Sequence, residues 1–151
     1  ELNALNQWLL QTRESAEMRL QTEQTGRSML EWLRNGKHCA DPRIVQLAQL
    51  RPAPSWPLAF ALATVLAGAT QHQALQALAF GWAENMAQSA IKAVPLGQAG
   101  AQRLLGRLVE FIPQAIEQAI GLPAAQRQSH APMLAILSAQ HEIQYSRLFR
   151  S

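Results

Sequence analysis

The sequence has a single cysteine, Cys39, among 151 residues. No disulfide can form within the chain, and a reducing cytoplasmic compartment fits best. Charge is scarce as well. Charged residues make up 15% of the chain, below the roughly 25% of an average soluble domain. Asp41 is the only aspartate among ten acidic residues. The net charge of +3 and the pI of 9.8 therefore reflect few acids rather than a basic cluster. No Lys/Arg run interleaved with aromatics occurs, so nucleic acid has no support as a partner. Long apolar runs are missing too. The most apolar stretch, "WPLAFALATVLAGA" (Trp56–Ala69), falls short of the about 20 residues of a membrane span and reads as a buried helix. Glu1 opens a polar amphipathic stretch with no basic n-region, so no signal peptide is expected. With no initiator Met, the chain is expected to be a fragment.

Catalytic patterns are equally sparse. His38, Cys39, His72, His130 and His141 are the soft metal-ligand types present, but they form no CxxC, HxxxH or HExxH spacing. No nucleophile motif supports a Ser–His–acid or Cys–His combination, and Glu84 and Glu142 lie far apart in sequence. No cofactor, metal or catalytic residue is expected.

What is present is helical periodicity almost throughout. Hydrophobic residues reach 48%, enough for one domain of this length to bury a core. Leu2, Leu5 and Leu9 share one face. The stretch through "TRESAEMRLQTEQTGRSMLEWLR" either continues that helix or forms a second. Glu23–Arg27 and Arg27–Glu31 are i,i+4 pairs on a solvated face, and Leu30 and Leu33 return to the core. "NGKHCADPR" reads as a loop, Ile44–Leu50 as a short helix, and "RPAPSWP" as a break. Helices follow at about 57–69 and 71–93, the second with a Leu75, Leu78, Trp82, Met86 stripe. Alanines there give close-packing faces. A helix from about 98 to 120 turns Leu105, Leu108, Ile112, Ile116 and Ala119 inward, with a kink or break expected at Pro113. Ser129 is the expected N-cap of a last helix near 131–144. The pattern predicts an all-α bundle of six to seven helices. Its core is expected on the helices at 57–69, 71–93 and 98–120.

Two segments carry binding chemistry. In "IKAVPLGQAGAQ", Lys92 ends one helix and a Pro95–Gly97 turn starts the next, at Gln98. Free N–H groups at a helix start can hold an anion or carboxylate. The alternative is a plain αα-corner, with Lys92 favouring the C-terminal dipole of its helix. The chain closes on "HEIQYSRLFRS". His141, Glu142, Gln144 and Tyr145 are followed by Arg147 and Arg150, which can each fork a carboxylate. Leu148 and Phe149 are large apolar anchors. Either the tail folds back on its own domain or it docks a partner.

The segments "WAENMAQSAIKAVPLGQAGAQRLL" and "HEIQYSRLFRS", with "LLQTRESAEMRLQTEQTG", together resemble the urease accessory protein UreF family. The resemblance covers essentially the whole chain. The family's N-terminal pattern Leu-Pro-x-Gly-x-(Phe/Tyr)-x-x-Ser-x-Gly-Leu-Glu has no match, so a chain starting inside the family fold is expected. The lost segment is expected to leave apolar surface uncovered.

The resemblance implies an all-helical, non-catalytic, cytoplasmic chaperone in nickel insertion into urease. It implies binding to a UreD/UreH-type accessory protein, recruitment or regulation of a UreG-type GTPase, action on the urease apoprotein, and homodimers. One domain over 1–151 is expected, with 145–151 as a docking tail. Lys92, Pro95, Gly97 and Gln98 become candidate partner-binding residues. So do His141, Glu142, Gln144, Tyr145, Arg147, Leu148, Phe149 and Arg150. The competing readings are a helical enzyme with a site around His38 and Cys39, and a generic helical interaction module.

Overall fold

The computed structural model describes residues 1–127 and 131–145. These carry seven α-helices and no strand: α1 (Leu2–Gln11), α2 (Ala16–Arg34), α3 (Pro42–Ala48), α4 (Trp56–Leu66), α5 (Gln71–Ala93), α6 (Gly97–Gly121) and α7 (Pro132–Glu142). The expected all-α bundle is what forms. The helices fall into two compact units, one of α1–α4 with α7 and one of α5 with α6.

In the first unit, the N-terminal stretch breaks at residues 12–15 and α2 is a separate helix. Ser15, in extended conformation, caps α2 by accepting from the Met18 N–H at 3.2 Å. Glu17 in its first turn and Arg34 in its last complement the helix dipole. Of the two expected ion pairs, Glu23–Arg27 forms at 2.8 Å, whereas Glu31 pairs with Arg34 at 2.6 Å.

Leu30 and Leu33 of α2 meet Ile44, Leu47 and Leu50 from the α3 region and Leu58 and Ala59 of α4 in a buried cluster. Each large aliphatic side chain buried there contributes about 1.5–3 kcal/mol. The cluster corrects the expected core: among the three helices named for it, only the one starting near residue 57 contributes. The physical reason is that α2 and α3 direct large side chains inward, while α5 and α6 bury chiefly alanine.

The buried residues of α1 are Asn6 and Leu10, not the Leu2–Leu5 face, which is exposed. Asn6 is fully buried. Its Nδ2 donates to the carbonyls of Pro52 and Ala53 at 3.1 Å each, and its Oδ1 accepts from the Ser55 N–H at 2.8 Å. One side chain thereby satisfies three backbone groups of the proline-rich connector into α4. Gly26 of α2 lies directly against the same connector, facing the Pro54 carbonyl.

α3 starts at Pro42 with Asp41 as its cap. One Asp41 oxygen accepts from the Arg43 backbone N–H and Nε at 2.9 Å each, and the other accepts from Nη2 at 2.8 Å. The Arg43 side chain first, and its backbone N–H second, hold the Asp41 carboxyl at about 2 against an ordinary 3.8. A carboxyl depressed on folding stabilises the fold above its ordinary value and loses that contribution as pH falls through the folded one. The cap of α3 should therefore weaken between pH about 4 and about 2. The Arg43 amide and Nε–H NMR shifts should titrate with a midpoint near the lower value. Asp41→Asn should remove that titration.

In the second unit, Thr70 and Gln73 form a reciprocal capping box at the start of α5. A three-residue connector turns the chain into α6. His72 meets Glu117 at 3.0 Å, joining the start of one helix to the end of the other, so the pair is antiparallel. Leu105, Leu108, Ile112 and Ile116 lie on the covered face of α6 as expected, while Ala119 is exposed. In α5 the covered face is Leu75, Leu78, Ala83 and Ala87. Trp82 and Met86, which continue the Leu75–Leu78 stripe in sequence, are 56% and 41% exposed. Alanines at the contact let two helix backbones approach closely, and a large side chain there would hold them apart. Pro113 does not break α6. The ring removes one hydrogen bond, to the carbonyl of Val109, at a solvent-facing position.

Candidate functional site

The connector between α5 and α6 holds the first group of candidate residues. Val94 ends α5 in extended conformation, as a residue before proline prefers. Gly97 opens α6 at φ +66°, a conformation that disfavours any side chain. Its neighbour Leu96 is the N-cap and supplies no side-chain acceptor. The first-turn N–H groups of α6 are thus not met by a capping side chain. Lys92, Pro95, Gly97 and Gln98 are all exposed, and Lys92 forms no ion pair among the described residues. The connector sets a cation and a helix start side by side along the chain, where both reach solvent.

The second group lies at the end of α7, and part of it is engaged within the first unit. The His141 Nδ1 lies 2.7 Å from Glu17 Oε2, and the Glu17 backbone N–H donates to Glu142 Oε1 at 3.1 Å. Ser138, not singled out by the sequence, shares a 2.6 Å hydrogen bond with Ser15. The backbone N–H of Ala131 donates to Glu14 at 3.3 Å. Ala131, rather than Ser129, is the N-cap of α7. Ser15 and Glu17 carry a helix-start signature in sequence, but nothing local foretells their partners more than 120 positions away.

Residues 143–145, just beyond α7, face outward. Ile143 is 85% exposed and Tyr145 fully so, and Gln144 is exposed. Arg147, Leu148, Phe149 and Arg150 lie outside the described residues, as do Ser129 and His130.

The alternative site around His38 and Cys39 does not assemble among the described residues. The carboxylate of Asp41 in that loop is taken by Arg43. No group of three or more His, Cys, Asp or Glu side chains is placed to share a metal ion there. No helix among the described residues is long and apolar enough to cross a membrane.

The family model described as UreF matches residues 1–109. The urease accessory protein UreF of a Polaromonas species is 55% identical over 150 residues, 99% of this chain and 64% of that protein. That of Methylibium petroleiphilum is 56% identical over 147 residues, 97% of this chain and 62% of that protein. That of Paracidovorax citrulli is 55% identical over 154 aligned positions, 99% of this chain and 60% of that protein. The chain therefore spans under two thirds of the length of these curated relatives. With most of its residues matched by the family model and identity above one half to each relative, the chain belongs to the UreF family.

Proposed function

We propose that this protein is a non-catalytic scaffold in urease maturation. It binds a UreD/UreH-type accessory protein and recruits or regulates a UreG-type GTPase that delivers nickel to the urease apoprotein. It does so in the cytoplasm, as a homodimer. The observation that carries this reading is identity of 55–56%, over nearly the whole chain, to proteins named urease accessory protein UreF.

The chemistry of the two candidate segments supports a division of labour. Tyr145, Leu148 and Phe149 supply anchors, and Arg147 and Arg150 supply forked cations, for the UreD/UreH-type partner. His141, Glu142 and Gln144 belong to the same segment. Lys92, with the turn at Pro95, Gly97 and Gln98, offers a cation beside a helix start to the GTPase.

The test is a pull-down against each partner with thermal melts on every variant. Deleting residues 145–151 is expected to abolish capture of the UreD/UreH-type protein. Loss of even one central anchor costs at least about 2 kcal/mol, roughly thirtyfold in affinity. The melting temperature should stay unchanged. Lys92→Ala should weaken GTPase recruitment while leaving that capture intact. Full capture by a folded, tail-less chain would refute the docking role. A large fall in melting temperature would assign the tail to the fold instead.

A further inference from the structure

We propose that α7 is a releasable clasp that completes the N-terminal cap of α2, so that undocking α7 loosens the first turn of α2. The first four backbone N–H groups of any α-helix lack an acceptor within the helix. In α2, Ser15 serves the Met18 N–H. The Glu17 N–H is served by the Glu142 carboxylate, from the last turn of α7. A carboxylate at a helix start is also favoured by the helix dipole. The Ser15 hydroxyl is itself tied to Ser138 of α7 at 2.6 Å. Both caps of the α2 start thus touch α7, one directly and one through the capping hydroxyl.

The clasp is built to let go. α7 has no fully buried residue, so little apolar burial holds it. Among the described residues its docking includes hydrogen bonds at Ser138, Glu142, His141 and the Ala131 N–H. Each such bond is modest in net strength because water competes for the same groups. The His141–Glu17 contact is half open to solvent and adds little. The α2–α3–α4 cluster, in contrast, is held by buried aliphatic side chains. Elements with few buried apolar contacts open first, as local units below the global unfolding free energy.

The Glu17 amide is a direct reporter. At the second position of α2 it has no helical acceptor, so its protection from hydrogen exchange comes from Glu142. The experiment is native-state hydrogen exchange on the whole chain and on Ser138→Ala and Glu142→Ala. In the unmodified protein, the Glu17 amide and those of residues 136–142 are expected to share one opening. It should be more frequent than that of the Ala59 amide in the core. Either substitution should speed α7 and the α2 start together by about tenfold, the size of a lost cap, with Ala59 unchanged. The clasp is refuted if α7 in the unmodified protein opens only with Ala59. It is refuted equally if the variants speed α7 but leave Glu17 and Met18 unaffected. Wholesale acceleration, Ala59 included, would make α7 an integral part of the fold and also overturn it.

Discussion

Gly26→Ala is expected to lower the melting temperature by roughly 6–12 °C, the equivalent of about 3 kcal/mol in a domain of this length. A Cβ at this position would stand 1.9 Å from the Pro54 carbonyl oxygen, and 2.9 Å from the carbonyl carbons of Pro54 and Ser55. All three are backbone atoms, so no side chain can swing aside. Relief requires moving α2 off the start of α4, and with it Leu30 and Leu33 out of register with Leu58 and Ala59. Gly106→Ala is the control. It sits on an open face of α6 with nothing within 4 Å of a new Cβ, and alanine there should stabilise by about 0.5–1 kcal/mol. Urea titrations of both variants check the opposite signs. An unchanged midpoint for Gly26→Ala would mean that α2 and the connector do not meet as described.

Asn6→Ala is the second large expected effect, at about 3 kcal/mol. It strands two carbonyls and one N–H that the Asn6 side chain serves, and unsatisfied buried groups cost about 1–3 kcal/mol each before water enters. Asn6→Asp should be at least as damaging. A carboxylate still accepts from Ser55, but it faces the carbonyl oxygens of Pro52 and Ala53 with no hydrogen to donate. Below the carboxyl titration the Asp variant should recover part of its loss, since the protonated acid can donate to one carbonyl. Denaturation at neutral and acidic pH measures this, and equal stability of the Asp and Asn proteins would refute the role of the Asn6 amide in holding the connector.

Asn6 also marks where sequence reading stops. The apolar stripe of Leu2, Leu5 and Leu9 is legible, but that Leu2 and Leu5 stay exposed is not, because the buried side of α1 is taken by Leu10 and by a polar residue with three distant partners. Leu30 and Leu33 were legible as core because their partners are ordinary aliphatic residues. In α5, Trp82 and Met86 drew attention by size, whereas Ala83 and Ala87 form the contact by being small. The helix starts were written locally: Ser15 ahead of α2, Asp41-Pro42 ahead of α3, and Thr70 with Gln73 ahead of α5. The turn at Pro95 and Gly97 was readable from the two residues that enforce it. The fate of His141 and Glu142 was not, because their partner Glu17 lies at the other end of the chain.

That long-range closure bears on how the protein is made. α5 and α6 are local in sequence and can pair as soon as both have left the ribosome. The first unit cannot finish so early: residues 52–55 reach Asn6 before α5 is made, but α7 follows α4 by about 65 residues. At roughly 5–20 residues per second, α2 stands without its distant cap for several seconds of synthesis. During that interval the nascent chain presents a helix start whose Glu17 N–H still lacks the Glu142 carboxylate, and the element that closes the unit is the same one that leads into the tail.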